Sequence, residues 1–208
     1  MAMLASWRGT YYTRRMNERY RQLYNASEVS NRIGQLAREI VVDHFDDQPL
    51  FVGLLRGAAP FAGQLMTEIV RRAPAMHPEL DYMMISTYGS SRHAGEPRIV
   101  TDLSPTTVVY GRPVVVVDDV LDRGITAEYV TNHLRGLGAL SIELAVLVQK
   151  DVERQFPITP KYYGFDAGDK WVVGMGMDDG EDGIEHYRWL DEIWEVKRDD
   201  EPPQLAFI

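Results

Sequence analysis

The sequence predicts an α/β protein with a mainly parallel central sheet flanked by helices, on three observations. Val114-Val115-Val116-Val117 is a run of β-branched residues, the mark of a short and fully buried strand. Similar apolar runs recur along the chain and alternate with stretches whose apolar residues fall at helical spacing. The joins are short and rich in Gly, Pro and Asp. Strands alternating with helices build parallel sheets, and ligands in such sheets bind beyond the carboxyl ends of the strands.

Taken in order, the first element is a helix from about Ser27 to His44. Val29, Ile33, Leu36, Ala37, Ile40 and Val41 share one face, with Ser27 or Asn25 available as the N-cap and Asp46 to Pro49 as the stop. Leu50 to Leu55 is a buried strand. After Arg56-Gly57-Ala58-Ala59, Pro60 opens a helix carried to Arg72 by Phe61, Leu65 and Ile69. Asp81 to Thr87 is the next strand, and Tyr88 to Pro97 reads as a polar, glycine-bearing loop of the kind that can act as a lid. Ile99 to Leu103 is extended again. The central strand is followed by a helix from Ala127 to Leu137, closed by Gly136 or Gly138, and by a strand from Leu140 to Val148. Tyr163 to Phe165 and Trp171 to Met175 complete the series.

At 208 residues, 45% hydrophobic and 25% charged, the chain has the composition of one main globular domain. The division expected is a basic, aromatic extension at 1–26, a single domain at 27–196 and an arm at 197–208. No apolar run is long enough to span a bilayer, and the first residues lack the apolar core of a signal peptide. With no cysteine there is no disulfide framework and no thiolate nucleophile, so a cytoplasmic protein is expected. A net charge of −9 argues against a general nucleic-acid binder. Its distribution is uneven: Arg8, Arg14, Arg15, Arg19 and Arg21 crowd the N-terminal segment among tyrosines, while Asp178 to Glu201 is acidic. The N-terminal segment suits subunit packing better than nucleic acid.

The chemistry concentrates at Asp118-Asp119-Val120-Leu121-Asp122-Arg123-Gly124-Ile125-Thr126. Here the chain passes from strand to loop to helix start, where unpaired N–H groups and the positive helix end attract an anion. Carboxylates beside an anion site call for a bridging cation, and Mg²⁺ is the usual one. The common nucleotide motifs are missing: there is no G-x-x-x-x-G-K-[ST], and Gly174-Met175-Gly176 lacks the third glycine of a dinucleotide fold.

This run resembles the phosphoribosyl diphosphate (PRPP) signature of type I phosphoribosyltransferases, in the form found in hypoxanthine-guanine phosphoribosyltransferases. The resemblance extends from about Ser27 to Leu190, and Asp169-Lys170-Trp171-Val172-Val173-Gly174-Met175-Gly176-Met177-Asp178 is similar to the family's D-K-F-V-V-G-Y-x-L-D. It implies the family fold, in which a small hood built from terminal segments covers the main sheet. It implies that Asp118 and Asp119 meet the ribose hydroxyls and Mg²⁺, that Asp122 is the general base toward purine N7, and that Asp122 to Thr126 cradle the 5′-phosphate. Arg123 and Ile125 stand where the family usually shows Thr and Lys. Leu55-Arg56-Gly57 resembles the pyrophosphate loop, with Ala58 continuing it, and a cis peptide is expected between Leu55 and Arg56. Thr87-Tyr88 resembles the start of the lid. Lys150 matches the donor to a purine 6-oxo group, Lys170, Trp171 and Val172 match the purine site, Asp178 matches a ligand of a second Mg²⁺, and Arg188 is the candidate second pyrophosphate arginine, displaced by a small insertion at Gly180 to Gly183.

The activity implied is Mg²⁺-dependent transfer of the phosphoribosyl group from PRPP to N9 of hypoxanthine or guanine, by a homodimer or homotetramer. Two alternatives stay open at this point. One is a preference for xanthine. The other is a regulator that binds PRPP or nucleotide without turnover.

Overall fold

The computed structural model describes residues 19–88, 94–179 and 187–197. A six-stranded sheet, in the order β4-β3-β2-β5-β6-β7, is formed by β2 (Leu50–Leu55), β3 (Glu79–Tyr88), β4 (Ala94–Thr101), β5 (Pro113–Leu121), β6 (Ser141–Gln149) and β7 (Tyr162–Asp166). All neighbours pair in parallel except β3 and β4, which are antiparallel. Among the described residues three helices flank the sheet: α1 (Ala26–His44), α2 (Ala59–Arg72) and α3 (Ile125–Gly136).

Strand β5 divides the core, because successive side chains of a strand point to opposite faces. Val115 and Val117 join one cluster with Ile33, Leu36 and Ile40 of α1 and Phe61, Leu65 and Ile69 of α2. Val114 and Val116 join the other, with Ala127, Val130 and Leu134 of α3. A continuous β-branched run is what a strand buried on both faces requires.

Asn25 caps α1. Its side chain accepts from the Glu28 amide at 3.0 Å, and the Glu28 carboxylate accepts from the Asn25 amide at 2.8 Å. At the other end of α1, near the amino ends of β6 and β7, His44 and Lys161 each lie 2.8 Å from Glu143, and the Tyr162 hydroxyl donates to Asp43 at 2.8 Å. Burial opposes ionisation of Glu143, but the hydrogen bonds from Lys161 and His44 outweigh it and hold the carboxyl below the usual glutamate range.

A second sheet, the hood, has the order β1-β9-β8 and joins β1 (Tyr20–Tyr24), β8 (Val172–Val173) and β9 (Ile193–Val196). Arg21 pairs with Glu195 across β1 and β9, at 2.7 Å. Tyr20 is buried and its hydroxyl donates to Asp179 at 2.7 Å.

The structure corrects several expectations. Strand β5 does not stop before the carboxylates but runs through Asp118 and Asp119 to Leu121, since β6 continues beside it as far as Gln149. Ala94 to Pro97 lie in β4, paired with β3, rather than in a loop. Only Val172 and Val173 of the Trp171–Met175 stretch form a strand, and it belongs to the hood. Helix α3 begins at Ile125, two residues earlier than its apolar pattern suggests, because Gly124 adopts φ +81 and turns the chain directly into it. Among the described residues no helix is long and apolar enough to cross a membrane.

Candidate active site

The parallel strands β2, β5 and β6 deliver their carboxyl ends to one place. Asp118 and Asp119 leave β5 beside the Leu55-Arg56-Gly57 turn that follows β2, and the Leu55–Arg56 peptide is cis as expected. Asp118 accepts from the Asp119 amide at 3.0 Å and Asp119 from the Val120 amide at 2.8 Å. Burial, then repulsion from Asp119, pushes the Asp118 carboxyl well above its ordinary range. Burial raises Asp119 too, with the Val120 amide and Arg188 opposing.

Two carboxylates in that state suit a hard divalent cation, which would let both ionise. Among the described residues no group of three His, Cys, Asp or Glu side chains is placed to hold a metal. The adjacent pair Asp118 and Asp119 matches the donors of an ion of the Mg²⁺ kind, which takes one or two carboxylates and completes its shell with water and phosphate oxygens.

Two adjoining clefts open here. The larger, about 420 Å³, is lined by Gly57, Asp118, Asp119, Asp122, the Arg123-Gly124-Ile125-Thr126 turn and Arg188. Its floor is the start of α3, where the first amides have no partner one turn back and Gly124 supplies no side-chain cap. The smaller, about 190 Å³, is lined by Lys150, Trp171, Val172, Met177 and Asp178. Asp119, Val120, Asp122 and Arg188 belong to both.

Asp122 stands at the junction, where Lys150 donates to its carboxylate at 3.2 Å. Lys150 follows β6 directly, donates its amide to the Leu121 carbonyl at 2.9 Å, and keeps only 9% of its surface exposed. Its ammonium lies 5.0 Å from the centre of the Trp171 ring, a cation–π contact that holds the ring against it. Trp171 donates through Nε1 to the Asp178 carbonyl at 3.3 Å, and 52% of the residue is exposed. Arg188 reaches from the hood to donate to Asp178 and to the Gly176 carbonyl.

Not every residue expected at the site lines these clefts. Ala58 is wholly buried and its amide donates to the Leu54 carbonyl at 3.0 Å. Arg56 and Lys170 line neither cleft, and the Lys170 amide donates to Ala167 at 3.2 Å. Thr87 and Tyr88 end β3, but their side chains, like residues 89–93 of the expected lid and 180–183 of the expected insertion, lie outside those described. The apolar walls, Leu54, Ile85, Ala127 and Met177, were not foreseen. Met177 sits inside a quoted motif and could have been named; Ile85 is distinguished only by the pairing of β3 with β2.

A model of the phosphoribosyl transferase domain matches residues 19–179. The hypoxanthine-guanine phosphoribosyltransferase of Bacillus subtilis is 33% identical over 176 residues, covering 84% of this chain and 92% of the relative. The bifunctional protein TilS/HprT of Listeria monocytogenes is 34% identical over 163 residues, or 78% of this chain, which spans 24% of that longer relative. Among solved structures, a hypoxanthine phosphoribosyltransferase of Staphylococcus aureus superposes with a TM-score of 0.75 at 28% identity, covering 85% of this chain and 91% of the other.

Proposed function

Because the chain belongs to the phosphoribosyltransferase family, with hypoxanthine-guanine phosphoribosyltransferases among its relatives, we propose that it is an enzyme of purine salvage. It transfers the 5-phosphoribosyl group of PRPP to N9 of a 6-oxopurine and releases pyrophosphate, giving IMP or GMP. The observation that carries this reading is the Asp122–Lys150 pair, 3.2 Å apart where the two clefts meet. It sets a proton acceptor beside a donor. N7–H and O6 of a 6-oxopurine present the complementary pair side by side on one edge of the base, so that edge can engage both residues.

The base lies in the smaller cleft, stacked on Trp171, with its Watson–Crick edge read by the backbone at Val172. PRPP lies in the larger cleft. Its 5′-phosphate takes the free amides of the Arg123-Gly124-Ile125-Thr126 turn and the Thr126 hydroxyl, and its ribose hydroxyls face Asp118 and Asp119. Arg188 and the Gly57 amide face the departing pyrophosphate, with Arg56 on the same loop. As the C1–O bond breaks and N9 closes on C1, Asp122 takes the N7 proton, so no positive charge is left on the purine. Asp118 and Asp119 would hold one Mg²⁺ and Asp178 a second, and such ions, when bound, would supply charge neutralisation to the pyrophosphate. The protein's own contribution is positioning and exclusion of water, since hydrolysis of PRPP competes with transfer.

Pyrophosphate release from PRPP and Mg²⁺, measured in parallel with hypoxanthine, guanine, xanthine, adenine and uracil, tests the proposal. Rapid release is expected with hypoxanthine or guanine. PRPP binding without turnover on any base would defeat it.

A further inference from the structure

We infer that Gly176 is a positioning residue for the pyrophosphate side of the cleft, the tip of a strut that presses the Arg56-Gly57 loop against Asp119. The inference rests on the transferase reading above and names the part of the chain that holds the leaving-group loop in place.

The strut is a two-residue turn. Gly174 and Met177 exchange backbone hydrogen bonds of 3.0 and 3.1 Å, and between them Met175 and Gly176 adopt φ +49 and +107. Positive φ at both central positions is the geometry of a tight hairpin turn. The hood grips it from behind: the Met175 amide donates to the Leu190 carbonyl and the Gly176 amide to the Arg188 carbonyl, both at 2.8 Å, while the Arg188 guanidinium donates to the Gly176 carbonyl. Buried Met175 anchors the other side, its sulfur 3.9 Å from Nε2 of Gln64 on α2.

In front, the turn has no room to move. A Cβ on Gly176 would lie 1.7 Å from the Gly57 carbonyl oxygen, and a Cβ on Gly57 would lie 2.0 Å from Oδ2 of Asp119. Gly176 and Gly57 thus meet main chain to main chain, and Gly57 in turn meets the Asp119 carboxylate. The position of the leaving-group loop relative to Asp119 and Arg188 is fixed by this stack, although Gly176 lines neither cleft.

Gly176→Ala tests the inference against Gly174→Ala. Gly174 shares the turn and has φ +98, but its added Cβ would meet the Glu192 carbonyl within the hood, at 2.0 Å. Calorimetric titration with PRPP and Mg²⁺, and separately with IMP or GMP, gives the readout. A nucleoside monophosphate uses the base and 5′-phosphate sites but not the pyrophosphate loop. Gly176→Ala is expected to weaken PRPP at least ~10-fold and lower kcat, with the monophosphate held within about twofold of the unaltered protein. Equal weakening of both ligands, or of neither, would overturn the inference, as would the same PRPP-only loss in Gly174→Ala. Should Gly176→Ala not fold, hydrogen exchange in the unaltered protein decides: inorganic pyrophosphate with Mg²⁺ should slow exchange at the amides of Met175, Gly176 and Met177, and unchanged exchange would reject the strut. A protein that binds both ligands yet turns over no base would defeat the transferase reading while leaving this comparison intact.

Discussion

In the proposed mechanism Asp122 and Lys150 act as a pair, and each can be removed with a distinct result. Asp122→Asn keeps the shape of the side chain but cannot accept the N7 proton, so kcat should fall by ~10² to 10⁴ while the affinity for PRPP changes little. Steady-state kinetics beside PRPP titration would show it, and equal losses would mean that the carboxylate serves only to hold substrate. Lys150→Ala removes the donor to O6. Discrimination between hypoxanthine and adenine should then relax by at least ~10-fold in kcat/KM, in keeping with the ~1–3 kcal/mol that a buried polar group loses when left without its partner. Unchanged selectivity would place the discrimination in the backbone at Val172. The place of both residues, just past the carboxyl ends of apolar strands, was legible in the sequence, while the roles proposed for them came from the family resemblance. The contact between Gly57 and the Asp119 carboxylate was not legible, since a glycine's neighbours leave no trace in composition or spacing.

Single elements show where local pattern decides and where it does not. Helix α1 was legible from its apolar spacing and its Asn25 cap, while its far end is fixed by residues that pattern could not pair: His44 and Asp43 meet Glu143, Lys161 and Tyr162 across more than a hundred positions of chain in the case of Tyr162 and Asp43. This cluster ties α1 to the starts of β6 and β7, and Glu143→Gln should cost about 1–3 kcal/mol at pH 7 in denaturant unfolding. Its pH dependence has a definite sign. The folded carboxyl of Glu143 lies below the unfolded one, so its stabilisation is complete above the usual glutamate range and is lost as the pH falls through the lowered folded value. The gap between wild type and Glu143→Gln should accordingly narrow below about pH 4; a gap that persisted there would mean the carboxylate charge is not what holds the cluster. Strand β8 marks the opposite case. Its apolar run reads like any other strand of the main sheet, and only its pairing with β9 places it in the hood.

At the scale of the whole molecule, the hood joins residues far apart in sequence, as with Arg21 and Glu195, 174 positions apart. Such pairings escape any reading of local pattern, and β1 lies within the residues that the sequence marks only as a basic, aromatic extension. The link reaches the smaller cleft, the proposed base site, because β9 donates from the Val196 amide to the Trp171 carbonyl at 2.8 Å and pairs with Val172. Arg21→Met would leave the buried Glu195 carboxylate without its charge partner, at about 1–3 kcal/mol. The expected outcome is a lower melting temperature and a KM for the purine that rises several-fold more than the KM for PRPP; an equal rise in both would separate the hood from base recognition. The main sheet carries a different constraint. In β5 the valines alternate between two cores, and the same nine-residue strand carries Asp118 and Asp119, of which Asp119 lines both clefts. Inserting or deleting one residue between the valines and Asp118 would either exchange the valines between the two cores or turn each carboxylate to the opposite side of the sheet. Evolution can vary the composition of this strand far more freely than its length, so a homologue with a one-residue gap in β5 should be expected to have lost the activity along with the fold that supports it.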